Sequence, residues 1–396
     1  MANSLLTPDD ITKEALMILH EKIPFISTIN RQYDSNYARE GAKIGSSLRI
    51  RLPNQYTVRT GKTAQVQDTA ESSVTMTMAT QKGVDLGFAS SDLTLDINDF
   101  SKQFIQPAMS ALASTIEADV IQTLSKDVYN QVGTAGTVPA SMLVIGQARQ
   151  KLNEYLAPKD KRRRLQVDSA TMAAMTDAYK GLFQSSRAID KQYMEGYVDY
   201  QGGFEWYENE SIYTHTNGAD VSGVTVNDTI VTGDSTMTIT GCAGGAPTVG
   251  TVFTVAGCFA VHPETKTAYS HLQQFVVTST VTPTTTDISF SPTMVSSGAK
   301  QNVSALPSNG AALVFTGSAS TAYGQCLAYH EDAFAFVSAD LELPKGCDMA
   351  SRQKFEGISM RFIRDFDTVN DDWISRIDVL YGMKTLRPQL ACRITK

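Results

Sequence analysis

The chain has 396 residues, 42% hydrophobic and 19% charged, with a formal net charge of -7 and a pI near 5.3. Such a length buries a substantial core and is read as two or three domains, and the composition excludes wholesale disorder. The acidic balance excludes a duplex-gripping surface, which needs clustered Lys and Arg.

In chain order, Thr7-Pro8-Asp9-Asp10 reads as a helix start, with Thr as N-cap and Pro at the first helical position. Ile11, Ala15, Ile18 and Leu19 continue at helical spacing, and Pro24 is expected to end the pattern. Asn30 to Lys43 is polar and unpatterned, as an arm or linker would be. From Ser47 the period becomes two, with Leu48, Ile50 and Leu52 alternating with Arg49 and Arg51. Thr57 to Val66 is a polar tip, and Ser73 to Gly87 alternates again through Val74, Met76 and Met78, which predicts a long hairpin. An isolated ribbon of this kind is marginal in water unless something packs on it, and another copy of the chain is one such partner.

Between Asp96 and Val132 the residues Phe100, Phe104, Met109, Leu112, Ile116, Val120, Ile121 and Leu124 share one helical face, with Pro107 bending the helix or dividing off its first turn. A second helix is predicted from Ala140 to Tyr155, a short strand over Leu165 to Val167, a third helix from Ala170, and a strand through Phe204 and Trp206. The stretch from Thr216 to Ser318 is rich in Thr, Val, Ser and Gly and holds only seven charged residues. Its short alternating runs between turn residues predict an inserted all-β domain, a small barrel or sandwich. Strand-like runs follow at Cys326 to Val337, Ile358 to Asp365 and Ile374 to Thr385.

Motifs for chemistry are missing. His262-Pro263-Glu264 supplies half of a zinc deaminase signature without the cysteine pair. His330-Glu331-Asp332 is read as a turn, and the basic run Lys159, Lys161, Arg162, Arg163 and Arg164 as a solvated connection. No nucleophile elbow and no phosphate loop occurs, and Met76, Met78, Trp206 and Trp373 are read as core or interface residues. No catalytic residue, cofactor or metal is expected. Cys242, Cys258, Cys326, Cys347 and Cys392 lie far apart and leave one unpaired in any full disulfide scheme, which fits a reducing compartment. No secretory signal or membrane span is read, so a soluble protein made in the cytoplasm is expected.

Two segments carry a resemblance. Leu327-Ala-Tyr-His-Glu-Asp-Ala-Phe-Ala-Phe and Arg376-Ile-Asp-Val-Leu-Tyr-Gly-Met-Lys-Thr-Leu-Arg-Pro-Gln-Leu resemble shared segments of HK97-fold capsid proteins, the second in the form of P22-like coat proteins. The order of elements follows the same family over nearly the whole chain. The resemblance implies an α+β capsid fold: an N-arm over 1–42, an E-loop over 43–91 and a P-domain with spine helix over 92–133. It further implies an A-domain over 134–215 and 319–356, an inserted β-barrel-like I-domain over 216–318, and closing strands over 357–396. Where relatives carry a longer charged loop, the segment from Val224 to Gly241 shows only a compact turn around Gly233-Asp234.

The implied function is a major capsid protein of a tailed bacteriophage, forming hexamers and pentamers of an icosahedral procapsid and then a mature shell. Its implied partners are a scaffolding protein, a portal protein and enclosed double-stranded DNA, in a virion assembled in the bacterial cytoplasm. An encapsulin-like compartment and a β-rich tail or receptor-binding protein are the alternatives. At the subunit interface, the hairpin is expected to lie across a neighbour's spine helix, burying Val74, Met76 and Met78, while Arg49, Arg51 and Arg59 meet acidic partners such as Glu117 or Asp119.

Overall fold

A computed structural model of the chain describes residues 12, 15, 17–18, 23–31, 47–64, 66, 71–89, 106–179, 200–219, 222–242, 245, 247–279, 287–355, 358–368 and 372–396. The helix start at Thr7, most of the arm from Asn30 to Lys43, Phe100, Phe104 and the loop around Gly196 lie outside the described residues. The chain divides into two compact units, one of residues 1–50, 73–120 and 334–384 and one of residues 51–72, 121–333 and 385–396.

The first unit is organised on the strand Asp372–Thr385. Thr80–Ala89 pairs antiparallel with its residues 372–381, Ile358–Asp367 pairs antiparallel with residues 372–378, Met349–Phe355 lies outside that, and Phe334–Ala339 completes five strands. Alternation sorts the side chains: Met360, Phe362, Ile377, Val379 and Tyr381 are buried, while the register row Arg352, Arg361 and Asp378 stands on the opposite face. Helix Gln106–Lys126 carries a buried stripe of Met109, Leu112, Ala113, Ile116 and Val120 in this unit. It packs on the apolar face, because Lys82 and Tyr381, which share that face, both reach Asp119. Pro107 stands in its first described turn.

Two expectations change here. Pro24 begins a helix, Pro24–Thr28, instead of only ending one. Ser73 to Gly87 is not one returning strand: Ser73–Thr77 pairs with Ser47–Arg51, the chain breaks at Met78 and Ala79, and Thr80–Ala89 joins the five-stranded sheet. The ten-residue register with residues 372–381 satisfies the backbone of that second piece, which a thin ribbon could not do.

The second unit holds a seven-stranded mixed sheet and a small barrel. In the sheet, Ala322–His330 is central. It pairs antiparallel with Ala391–Thr395 along one edge, and with Tyr213–Thr216 and Arg163–Val167 along the other. Phe204–Glu208 runs parallel to Arg163–Val167, Gln131–Gly133 parallel to Ala391–Thr395, and Tyr200–Gln201 closes the far edge. Helix Met142–Glu154 is capped by Ser141, whose Oγ accepts the Leu143 N–H, and it buries Ile145, Ala148 and Leu152 at helical spacing. It packs on Ala391–Thr395.

The charge-poor stretch forms six antiparallel strands in the order Leu313–Phe315, Val252–Val261, Ala268–Val277, Asp287–Ser291, Thr236–Thr240 and Thr225–Val226. An antiparallel bridge between Thr225 and Ala312, with the Leu313 N–H donating to Val224 O at 2.9 Å, joins the first and last strands into a closed ring. Closure leaves no edge for another strand to pair with. Phe253, Phe275, Phe290 and Phe315 meet inside it with ring centroids 5.5–6.1 Å apart, surrounded by Val226, Met237, Ile239, Val255 and Ile288. Val252 and Val276, in the opposite phase, pack against Tyr129 and Tyr155. The turn expected around Gly233-Asp234 is present, with the Asp234 carboxylate accepting the Val231 N–H at 2.7 Å.

Candidate assembly surface

In the two-stranded ribbon of Ser47–Arg51 and Ser73–Thr77, Ile50 and Met76 are buried and Arg49, Arg51, Thr75 and Thr77 lie on the more exposed side. Period two explains this division. Met76 is thus a core residue of its own subunit, while Val74 and Met78 are half-buried. Arg49 Nε donates to Ser73 Oγ at 2.8 Å, and Arg51 pairs with Glu71 at 3.3 Å on the surface. Past Arg51 the chain makes no strand through residue 64; Tyr56 is 59% and Val58 95% exposed, and Arg59 donates to Gly61 O.

The two expected acidic partners are engaged inside the first unit. Glu117 is 1% exposed and accepts the N–H of Phe25 at 2.6 Å and of Ile26 at 3.4 Å. Asp119 lies 3.3 Å from Lys82 Nζ and accepts the Tyr381 hydroxyl at 2.6 Å. Burial, then the Asp119 carboxylate, hold the Tyr381 phenol far above its ordinary value. Within one subunit the fold does not bring Arg49 to either carboxylate through any described contact. The sequence signal for the role of Glu117 was Pro24, a residue that opens helices as readily as it ends them. Val58 was hidden within the stretch from Thr57 to Val66, read as polar, and Tyr56 stands just before it.

The other chemistry-bearing residues have structural partners. Arg163 is buried and donates to Pro158 O, Ala157 O and Asn153 Oδ1, while Arg164 and Arg162 both pair with Glu331. His330 Nε2 lies 3.0 Å from Asp160 Oδ1 and its Nδ1 accepts the Asp332 N–H, so the ring fastens a turn. His262 Nδ1 accepts the N–H groups of Glu264 and Thr265 in the same manner. Trp206 is fully buried, and Trp373 packs on Phe366 beneath the Arg364 guanidinium. None of the five cysteines forms a disulfide. Among the described residues no cluster of three or more metal-ligating side chains occurs, and no helix is long and apolar enough to cross a membrane.

What this surface offers is an exposed ribbon tip that carries no regular secondary structure over residues 52–64. The sequence profile of the family described as P22 coat protein, gene protein 5, matches residues 11–393. No curated protein matches. Among solved structures, the chain is similar to one from Mycobacterium phage Che8, at 12% identity and a TM-score of 0.47 over 93% of this chain and 89% of that one. It is also similar to the acidic stable capsid structure of Helicobacter pylori bacteriophage KHP30, at 10% identity and a TM-score of 0.46 over 94% and 91%. The CUS-3 coat protein I-domain aligns over 26% of this chain and 100% of its own length, at 21% identity and a TM-score of 0.20. With its family profile spanning nearly the whole sequence, the chain belongs to the P22 coat protein family and is a bacteriophage major capsid protein, a structural component of the virion.

Proposed function

We propose that the chain assembles into an icosahedral head through the ribbon tip, residues 53–64, which reaches a neighbouring subunit. The observation that carries this reading is the exposure of Tyr56 and Val58 on a segment that pairs with no strand among the described residues. Apolar side chains held in water are stabilised by burial against another surface. Arg49, Arg51 and Arg59 on the same ribbon supply charge that registers the contact more than it strengthens it. Since Glu117 and Asp119 are occupied at home, the acidic partners of these arginines are sought among carboxylates on the neighbour's surface.

In this reading the architecture is the HK97-like capsid fold, and the closed barrel within residues 216–318 is the inserted I-domain. The shell passes from procapsid to mature head in the host cytoplasm with a scaffolding protein and a portal protein, encloses double-stranded DNA without sequence-specific contacts, and performs no catalysis. The acidic net charge supports a lumen that encloses DNA without gripping it. Electron microscopy of Arg51→Asp and Val58→Asp chains tests the ribbon. Both are surface changes that leave the monomer folded, and we expect them to abolish shells; normal shells from both would refute the role of the tip.

A further inference from the structure

The chain leaves the seven-stranded sheet for the barrel after Tyr213–Thr216 and returns at Ala322–His330. One polar network fastens both crossings. Asn217 Nδ2 donates to Thr316 O at 2.9 Å and Ser318 O at 3.1 Å, and the Asn217 N–H donates to Thr321 O, so the outgoing and returning strands are tied together. Thr248 Oγ1, from the barrel side, donates to Thr216 O at 2.7 Å. Arg393, fully buried on the last strand of the sheet, donates through Nη1 to Gly250 O at 2.8 Å and to Gln325 Oε1 at 3.1 Å.

His215 sits at the centre of this network and is 4% exposed. Its Nδ1 lies 2.8 Å from the Tyr213 hydroxyl and its Nε2 3.0 Å from Thr251 Oγ1, so the imidazole spans from the sheet to the first residues of the barrel hairpin. The groups facing it are Arg393 from the last strand, Lys126 from the end of the long helix, Tyr213 on its own strand and Asn217 just beyond. Asp127 acts on Arg393, yet among the described residues no carboxylate hydrogen-bonds to either Arg393 or His215. Arg393 Nε and Nη2 also have no partner there. The site is therefore buried and cationic before His215 carries any charge.

We propose that His215 is an acid-sensitive latch at the root of the barrel, whose protonation beside buried Arg393 loosens the barrel's attachment to the sheet. Both hydroxyl partners can accept from an imidazolium, so the destabilisation comes from adding a further positive charge beside Arg393 and Lys126 in a buried pocket, where no described carboxylate hydrogen-bonds to His215 or Arg393. Burial, followed by Arg393 and Lys126, pushes the imidazole down from 6.5 to about 4. A base with a depressed folded value has its full stabilising effect above its ordinary value and loses it as the pH falls toward the folded value. The window is therefore about pH 6.5 down to about 4, across which opening of the junction is favoured by up to roughly 300-fold.

Hydrogen exchange on the full chain tests the latch. Between about pH 7.5 and about pH 4.5, protection of the junction amides of Asn217, Ser318 and Ser320 should fall by several tens of fold after correction for intrinsic rates, while Phe253 and Phe275 in the barrel core hold. His215→Gln, neutral at every pH, should keep the junction protection flat. Equal losses in both chains, or no loss in the natural chain, would overturn the proposal. So would an imidazole titration of His215 by NMR with a midpoint near 6.5, a measurement that does not depend on any variant folding.

Discussion

The buried carboxylate of Glu117 accepts the backbone N–H of Phe25 at 2.6 Å, so a residue on the long helix caps a five-residue helix that precedes it by 92 positions. A helix of five residues cannot hold itself in water. Here Pro24 removes one free N–H at the helix start, Glu117 takes those of Phe25 and Ile26, and Phe25 packs on the Phe334 ring at 5.9 Å. Glu117→Ala leaves two buried donors without an acceptor and should cost about 3 kcal/mol, read as a lower urea midpoint. Glu117→Gln, which retains one acceptor oxygen, should lose less.

Gly83 marks a close approach between Thr80–Ala89 and the strand Asp372–Thr385. A Cβ there would stand 2.5 Å from both Ile377 O and Asp378 Oδ1, whereas a Cβ at Gly87 on the same strand meets nothing within 4 Å. Gly83→Ala should therefore lower stability by about 2 kcal/mol through forced separation of the strands, and Gly87→Ala should stay near neutral. Thermal unfolding of the two chains side by side makes the comparison.

The elements whose side chains obey one period over many residues were legible in the sequence. The stripe from Met109 to Leu124, the strand from Ile374 to Thr385 and the low-charge β stretch all appear where the sequence pattern placed them. Two features were not legible, because they depend on partners distant in sequence. Whether Thr80–Ala89 continues a ribbon or joins a sheet is decided by residues 372–381, and whether Glu117 is a surface charge or a cap is decided by the chain at Phe25. Met76, expected at a subunit interface, is likewise buried within its own subunit, while Arg49 and Arg51 are exposed.

Gln274 takes the place of a neighbouring strand at the edge of the seven-stranded sheet. Its Oε1 accepts the Gln131 N–H at 2.9 Å and its Nε2 donates to Gln131 O at 2.8 Å, the pattern a further strand would supply. Gln274→Leu should release both groups, costing about 2 kcal/mol and speeding exchange of the Gln131 amide, with exchange at Phe253 in the barrel core unchanged. Loss of protection throughout the barrel would instead show that Gln274 supports the barrel's own fold.

Asp378 is 1% exposed and holds two arginines on the otherwise polar face of the five-stranded sheet. Arg361 Nη2 donates to it at 2.7 Å and Arg376 Nε at 2.9 Å. Burial pushes the carboxyl up, but the hydrogen bonds from Arg361 and Arg376 outweigh it, leaving the group below its ordinary 3.8. A lowered carboxylate adds stability that is present above about pH 3.8 and is lost as the pH falls through the lower folded value. Asp378→Asn keeps the shape and removes the charge, leaving Arg361, mostly buried, without a counter-ion; Arg376, half exposed, can rehydrate. The expected cost at neutral pH is about 3 kcal/mol by urea unfolding, near the lower end for breaking a buried pair because one partner keeps its water. Repeating the measurement in acid separates charge from shape: the gap between the two chains should narrow as the pH falls below 3.8, since the natural chain then loses the charge that the variant never had. A gap that stays constant into acid would assign the cost to packing of the amide instead.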